Sequence, residues 1–540
     1  MSTILSEKSP AKENFSLLKI IITIFSIVLI RNFFESFAYP NADNYFPFLE
    51  RFIHAQTMFF AMFLSFALLL YFFTKDFFED IFNFLTKLFL LIILVPIIDI
   101  LFNGPSVDAL TYLKVESGNL MITFFRTINP FSGNGISFGQ HVVGLSIFLG
   151  MAFFIYKKTK NIFRSALSIF FGYLVLFLYA ILPNVFIFFA EKNAADTHIY
   201  SNLLSQSWTA KTIENITPAF LTFFNNNIFS NIDYVHEITM ARFFWIIIII
   251  ETIVIFFISN KKIWNVFKND LKTTRIFYWF IVASVGLIIN QKIFGDINLQ
   301  NPFNLLTLLM SSVLIVLNIW LAVFINDAED IEIDMISNKD RPLAKKIINK
   351  EDWERIQTII ALLVVLGVLM LNRTVAFFIV LGQMSYYIYS AKPLRLKRHF
   401  IFSSILIGIG SIAAAMAGFF LVSPDQHVSA FPVKAIVIIG IAYALLSNLK
   451  DIKDYEGDKK ENMHTLPVVF GLEKSKKIIA FLCSLVIVAV PLILKIYSIL
   501  PISIAISLFL FYLFTKKKYQ EKYIFLTIFL FAIVLFFAVI

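Results

Sequence analysis

Long apolar runs alternate with short polar stretches along the whole chain, and the runs have the length of helices that cross a bilayer. They begin near Leu17, Thr57, Phe84, Gly139, Ala166 and Phe243, then near Ile276, Leu305, Ile356, Val375, Ile401, Val433, Lys477, Ile502 and Ile524. The pattern predicts an all-α, polytopic membrane protein of about 15 transmembrane helices, about six in a front half and about nine behind it. A basic stretch from Lys261 to Arg275 separates the two sets. The expected division is an amino-terminal membrane domain over residues 1–270 and a second domain over 271–540, with no tandem repeat or low-complexity linker between them.

The polar stretches carry the topology. With a cytoplasmic amino terminus, alternation places Lys75-Asp76, the Lys157 to Lys160 cluster, Lys261-Lys262, Lys392 to Arg398 and Lys516 to Lys522 inside, as cationic loops prefer. The weakly charged connections at Asn372-Arg373, Ser423 to Asp425 and Tyr497 to Leu500 then fall outside. So do the longer polar segments Gly104 to Phe138 and Glu191 to Ala241, whose Asn-Pro and Asn-Gly turn signals suggest a small external cap. Met1 to Lys19 is polar, and no small-residue cleavage site follows the first apolar run, so the first helix is expected to stay attached.

Composition sharpens this in three respects. At 59% hydrophobic and 15% charged, 540 residues cannot make a soluble globular fold. The net charge of +10 sits in short clusters between apolar runs, which points to the lipid bilayer and not to nucleic acid. The single cysteine, Cys483, permits neither an intramolecular disulfide nor a multi-cysteine metal site.

Candidate chemistry is confined to the second half. Asn326-Asp327-Ala328-Glu329-Asp330 to Asp334 and Asp451 to Asp458 each follow an apolar run directly. In both, the aspartates stand three and then four residues apart (Asp327, Asp330, Asp334; Asp451, Asp454, Asp458), so a helix would project all three to one side. Such a row repels itself unless a cation joins it. Mg²⁺ suits the arrangement, because it takes one or two carboxylates and completes its shell with water and phosphate oxygens. Two such triads could hold a diphosphate between them. Cation-rich segments lie close by in sequence: Asn338 to Lys346 after the first cluster, and Tyr389 to Arg398 between two later spans.

Asn326-Asp327-x-x-Asp330-x-x-x-Asp334 with Asn338-x-x-Arg341-Pro342, Tyr389-Ser390-x-x-Pro393-Leu394-Arg395-Leu396-Lys397, and Asp451-x-x-Asp454-x-x-x-Asp458 with Thr465-Leu466-Pro467 closely resemble the motifs of the UbiA superfamily of intramembrane prenyltransferases. The resemblance covers about residues 276–540; no resemblance is recognised in the front half. It implies a helical bundle with a central cavity open sideways to lipid, which takes a polyprenyl diphosphate tail-first. It further implies that the six aspartates bind Mg²⁺, that Asn326 supports the first site, and that Arg341, Arg395 and Lys397 contact diphosphate oxygens. Two positions depart from the family pattern. Lys345-Lys346 stands where a glycine is common after Arg-Pro, and Asn462 where a glycine precedes Thr-Leu-Pro.

The chemistry agrees with that implication. Cleaving an allylic carbon–oxygen bond releases diphosphate, whose developing charge Mg²⁺ and guanidinium groups stabilise. Tyr386, Tyr387 and Tyr389 are candidates to shield the allylic cation through their ring faces. Asp451 or Asp454 is a candidate to take the acceptor's proton. The expected reaction is Mg²⁺-dependent transfer of a polyprenyl group from its diphosphate to an aromatic or polar acceptor, including a glycerol-phosphate lipid, with Asp451, Asp454, Arg341 and Lys397 as catalytic candidates. The expected location is a plasma or inner membrane, with the active site on the cytosolic face.

Each residue also has a structural reading. Acidic groups at a helix end are commonly just solvated, tyrosines there form interfacial belts, His464 reads as a loop residue, and Lys516 to Lys518 as topology determinants. The rival functions are phosphoribosyl transfer onto a polyprenyl phosphate, a cation-coupled transporter, and a lipid-binding scaffold. A transporter would place its carboxylates near the bilayer midplane in broken helices. In the front half, Asp99, Asp108, Arg126, His141, Glu191 and Asp196 lie near the predicted outer face and read as surface groups. Residues 1–270 are left as a scaffold for a protein partner, a lipid-handling module or a second catalytic unit.

Overall fold

The computed structural model describes residues 17–38, 48–103, 120–128, 136–192, 232–259, 264, 266, 273–295, 302–337, 339–423, 425–460, 462–516 and 521–539. They form helices and loops with no strand among them, apart from one isolated bridge between His399 and His464. The front set is α1 (Leu17–Ala38), α2 (Phe48–Thr74), α3 (Phe78–Phe89), α4 (Leu94–Asn103), α5 (Leu120–Arg126), α6 (Phe138–Thr159), α7 (Ile162–Lys192) and α8 (Ile232–Ser259). The second set is α9 (Thr273–Phe294), α10 (Pro302–Glu329), α11 (Ile331–Ser337), α12 (Lys350–Leu369), α13 (Arg373–Ser390), α14 (Phe400–Leu421), α15 (Val433–Leu446), α16 (Asp451–Lys460), α17 (Leu466–Phe470), α18 (Leu472–Leu494), α19 (Leu500–Thr515) and α20 (Glu521–Val539). By contacts the chain divides into two compact units, Met1–Lys261 with Asn298–Thr307, and Lys262–Ile297 with Leu308–Ile540.

A helix covers each of the predicted span starts, and among the described residues ten helices are both long and apolar enough to cross a membrane. An eleventh is added if Val433–Leu449 and α16, bent by 61°, count as one. The expected 15 is not reached, and for two of the helices the reason is visible in the residues. Helix α12 opens with Lys350, Glu351, Asp352, Glu354 and Arg355, and α13 dilutes its apolar run with Gln383, Ser385, Tyr386, Tyr387 and Tyr389. The expected external cap falls largely on residues 104–119, 129–135 and 193–231, outside the described residues.

Within the first unit the core is aromatic. Phe63 meets Phe89 edge-on at 5.2 Å, and Phe66 meets Phe148 at 6.2 Å, tying α2 to α3 and α6. Helix α6 begins where Ser137 and Gln140 form a reciprocal capping box. Asp99 and His141, read from sequence as surface groups, are turned inward. Asp99 is buried and accepts from the Gly139 amide at 2.7 Å, while His141 bonds the carbonyls of Ser137 and Thr127. Arg126 is exposed; Asp108 and Asp196 lie outside the described residues, as does the side chain of Glu191.

In the second unit, helices meet where side chains are smallest, which suits packing in lipid. A Cβ added to Gly286 of α9 would stand 1.8 Å from the Ala415 carbonyl oxygen, and one added to Gly418 of α14 would stand 2.0 Å from that of Ala283. Neither backbone can yield without separating the helices. Gly418→Leu is therefore expected to cost at least about 3 kcal/mol and to lower the thermal midpoint of the detergent-solubilised protein. Gly382→Ala, where the nearest atom is at an ordinary 3.8 Å, should leave that midpoint unchanged.

Candidate functional site

The first acidic cluster closes α10. The expected single helix through Asp334 is instead broken at Asp330, where α10 ends and α11 begins. The Asp330 amide still reaches Asn326 O at 3.0 Å and the Asp334 amide reaches Asp330 O at 2.8 Å. The turn is thus kept while the carboxylates find different partners. Helix α12 braces it: Trp353 is fully buried, stacks on Phe324 at 4.2 Å and donates Nε1 to the Phe324 carbonyl at 3.0 Å.

Two loops deliver the cations. Arg341 donates to Asp327 Oδ1, and its Nε lies 3.8 Å from Asp334 Oδ2. Arg395 donates to Asp330 Oδ1 at 2.7 Å and to the Glu329 carbonyl at 3.1 Å, while Lys397 donates to Asp330 Oδ2 and to Asn326 Oδ1 at 3.1 Å. Asn326 completes the set, giving its amide to Asp330 Oδ2 at 2.9 Å and accepting from Ser390 at 3.0 Å. Arg395, with φ of 44°, adopts the left-handed conformation that costs a side chain energy. Lys397 is buried, and desolvation pulls its ammonium below the usual lysine range although Asp330 opposes this.

The second cluster has a different environment. The apolar run of α15 ends at Leu449, and the polar α16 that follows packs against α11, so the two acidic helices are neighbours. Asp451 and Asp458 are buried, while Asp454 is half-buried. Among the described residues no cation forms an ion pair with any of these three. Burial pushes the Asp451 carboxyl up to about 7, with Asp458 and Asp454 adding to the rise and Lys450 opposing it. Burial and then Asp454 push Asp458 up to about 6.

These residues fit a magnesium ion. No three His, Cys, Asp or Glu side chains among the described residues converge on one point. Mg²⁺ does not require that, since it binds through one or two carboxylates and substrate phosphates. The donors are hard oxygens, Asp327 Oδ2 is buried with no hydrogen-bond partner, and the repelling Asp451 and Asp458 would be relieved by a cation.

Below the charges stands an aromatic wall. Tyr443, Tyr278, Trp279, Tyr386 and Tyr389 meet in succession at centroid distances of 5.0, 5.2, 5.6 and 6.3 Å. Tyr386 and Tyr389 share a face of α13, three residues apart, whereas Tyr387 is rotated away and 48% exposed, so it stands apart from this cluster. Lys450 donates to the Tyr389 hydroxyl, and its ammonium lies 4.5 Å from that ring's centroid. Lys450, Trp279, Tyr278 and Tyr443 were not singled out from sequence. Their only signal was a lysine next to Asp451 and aromatic residues that a lipid-facing belt would equally explain.

The two departures from the motif pattern both fall on left-handed residues, Lys346 with φ of 55° and Asn462 with φ of 52°. The backbone shape that glycine suits is kept at each. Asn338 lies outside the described residues, and His464 pairs with Arg398 and Phe400 through its backbone, as a loop residue does.

In the front half, sequence reading missed a second set of polar residues: His54, Ser65, Glu237 and Glu251. Ser65 and Glu251 sit inside apolar runs, and His54 and Glu237 shortly before them, with no local motif, so only the packed helices reveal them.

Residues 279–535 match the model of the UbiA prenyltransferase family; residues 1–278 lie outside that match. Digeranylgeranylglyceryl phosphate synthase of Methanococcus aeolicus is 28% identical over 224 residues, 40% of this chain and 75% of that one. Chlorophyll synthase of Oryza sativa subsp. japonica is 31% identical over 169 residues, 28% of this chain and 42% of that one. A solved UbiA homologue from Archaeoglobus fulgidus, bound to DMAPP and Mg²⁺, is 18% identical with a TM-score of 0.35, covering 48% of this chain and 96% of that chain.

Proposed function

With residues 279–535 a UbiA prenyltransferase-family domain, we propose that this multi-pass membrane protein transfers a polyprenyl group from its diphosphate to a polar acceptor, of which a glycerol-phosphate lipid is the first to test. The observation that carries the reading is the packing of α11 on α16, with Arg341, Arg395 and Lys397 beside the carboxylates and an aromatic wall behind them. The active site is assigned to the cytosolic face, where the positive-inside pattern puts the loops that carry these cations.

Bound Mg²⁺ would be held by Asp327, Asp451 and Asp458, with Asp330, Asp334 and Asp454 beside them, and would neutralise charge on the departing diphosphate. The chain's own groups do the rest. Arg341, Arg395 and Lys397 now give their N–H groups to carboxylates, and the same N–H groups can turn to diphosphate oxygens as the leaving charge grows. Trp279 and Tyr386 present ring faces to the allylic carbon and exclude water. Tyr389 contributes less there, because the Lys450 ammonium is already bonded to its hydroxyl. Asp454, the half-buried member of its cluster, is placed to take the acceptor's proton.

The reading is tested with purified protein in lipid vesicles, radiolabelled geranylgeranyl diphosphate, Mg²⁺, and a panel of glycerol-phosphate and aromatic acceptors. Diphosphate release coupled to a prenylated lipid is expected, falling at least about 10³-fold with EDTA and returning when Mg²⁺ is restored. Product formation that EDTA leaves unchanged, or release with no prenylated product from any acceptor, overturns it.

A further inference from the structure

The amino-terminal unit holds a polar site deep within its spanning helices that prenyl transfer does not use. Glu251 of α8 is buried, and its Oε1 accepts from the Ser65 hydroxyl of α2. Ser65 Oγ lies 3.0 Å from the Tyr179 hydroxyl of α7, and Glu251 Oε2 is buried with no hydrogen-bond partner. The apolar segments run Glu237–Ser259 and Phe52–Thr74. Glu251 therefore lies about 12 Å, and Ser65 about 13 Å, from the same end of their helices at 1.5 Å per residue. That is nearly the half-thickness of the hydrocarbon layer, roughly 15 Å.

The same helix pair carries a second polar contact at its other end, where the His54 ring bonds Glu237. The two contacts together require α2 and α8 to run in the same direction. Phe244 separates them, stacked on His54 at 5.8 Å and on Tyr179 at 5.4 Å. Among the described residues, the polar groups against Glu251 are Ser65 and Tyr179. His54 on α2, and Glu237 and Arg242 on α8, stand two or more turns toward the other membrane edge, and no cation pairs with the carboxyl.

A carboxyl so placed has two contrasting forms. Ionised, it faces hydrocarbon and hydroxyls with no counter-charge, which the membrane interior penalises. Neutral, it carries a proton that a neighbouring hydroxyl can accept. We propose that Glu251 is a membrane-embedded proton-binding site of the amino-terminal unit, exchanging its proton through the hydroxyls of Ser65 and Tyr179. In uptake, Ser65 passes its proton to Glu251 Oε1 and takes that of Tyr179, which is refilled by the incoming proton; one proton is gained and each hydroxyl is restored. Release runs the same bonds in reverse. The Phe244 ring between Tyr179 and the His54–Glu237 pair keeps the two titratable stations apart.

The test is infrared difference spectroscopy on the full-length protein in phosphatidylcholine vesicles between about pH 5 and about pH 9, a range that brackets carboxyl and imidazole titration. A protonated-carboxyl band should be lost as pH rises, be absent from the difference spectrum of Glu251→Gln, and shift its midpoint in Ser65→Ala and Tyr179→Phe. In parallel, dicyclohexylcarbodiimide, which modifies protonated carboxyls in apolar surroundings, should label Glu251 about tenfold less at the upper pH than at the lower. A Glu251 band that persists unchanged across the range would show a neutral acid that merely glues α2 to α8. A Glu251→Gln difference spectrum identical to the parent's would show that the titrating group is elsewhere. Either result overturns the proposal. Should Glu251→Gln fail to fold, the midpoint shift in Ser65→Ala and Tyr179→Phe decides, and its absence in both counts against the site.

Discussion

Asp458→Asn should reduce prenyl transfer roughly 10³-fold, about 4 kcal/mol of transition-state stabilisation, while the protein melts no lower than the parent. The two halves of that result come from one feature of α16. Asp458 is buried beside Asp454 and Asp451, and among the described residues no lysine or arginine pairs with any of them. Removing its charge relieves repulsion in the folded protein, so stability is unchanged or raised. The same change deletes an oxygen donor from the site where Mg²⁺ would be held, and asparagine keeps the shape without the charge. Initial rates in vesicles at saturating Mg²⁺, set beside thermal unfolding in detergent, give both readouts. Full activity in Asp458→Asn would remove the second cluster from the metal site.

Asp330→Ala should behave differently, losing activity and stability together. Its carboxylate is the shared counter-charge of Arg395 and Lys397, both buried, and it also receives the Asn326 amide. Truncation leaves two cations in a poorly solvated site, for which the cost is about 3–5 kcal/mol. The loop from Ala391 to Arg398, which carries both cations, should open with it. Hydrogen exchange of that segment, read with the melting temperature, measures the effect. An Asp330→Ala protein that melts with the parent would mean that the ion pairs contribute nothing to holding the loop. The contrast with Asp458 separates the two aspartate triads, which look alike in sequence: the first is clamped by cations and organises the loops, the second is held under mutual repulsion.

That contrast also shows how far reading the residues reached. The apolar runs were legible because hydrocarbon admits few residue types and demands a fixed length, and each predicted run is covered by a helix. The tally of spans was less secure. Helices α12 and α13 carry charge and tyrosine where a lipid-exposed helix could not, which separates helical length from apolarity. Within the site, the sequence offered Tyr386, Tyr387 and Tyr389 as equal candidates to face the allylic cation. It could not tell that Tyr387 turns outward, or that Lys450 bonds the Tyr389 hydroxyl.

Composition and short-range spacing were enough to show the membrane class, the two aspartate triads and the likeness of the second half to the UbiA prenyltransferase family. These depend on composition and on separations of a few residues along one helix, where geometry is set by the backbone alone. Helix packing was needed to show which cation holds which carboxylate, that the helix breaks at Asp330, and that Ser65 meets Glu251 across 186 residues of chain. Such pairings arise when separate helices pack, and the free energy that selects them, the desolvation of charge against its neutralisation, is a property of the assembled interior and of no segment within it.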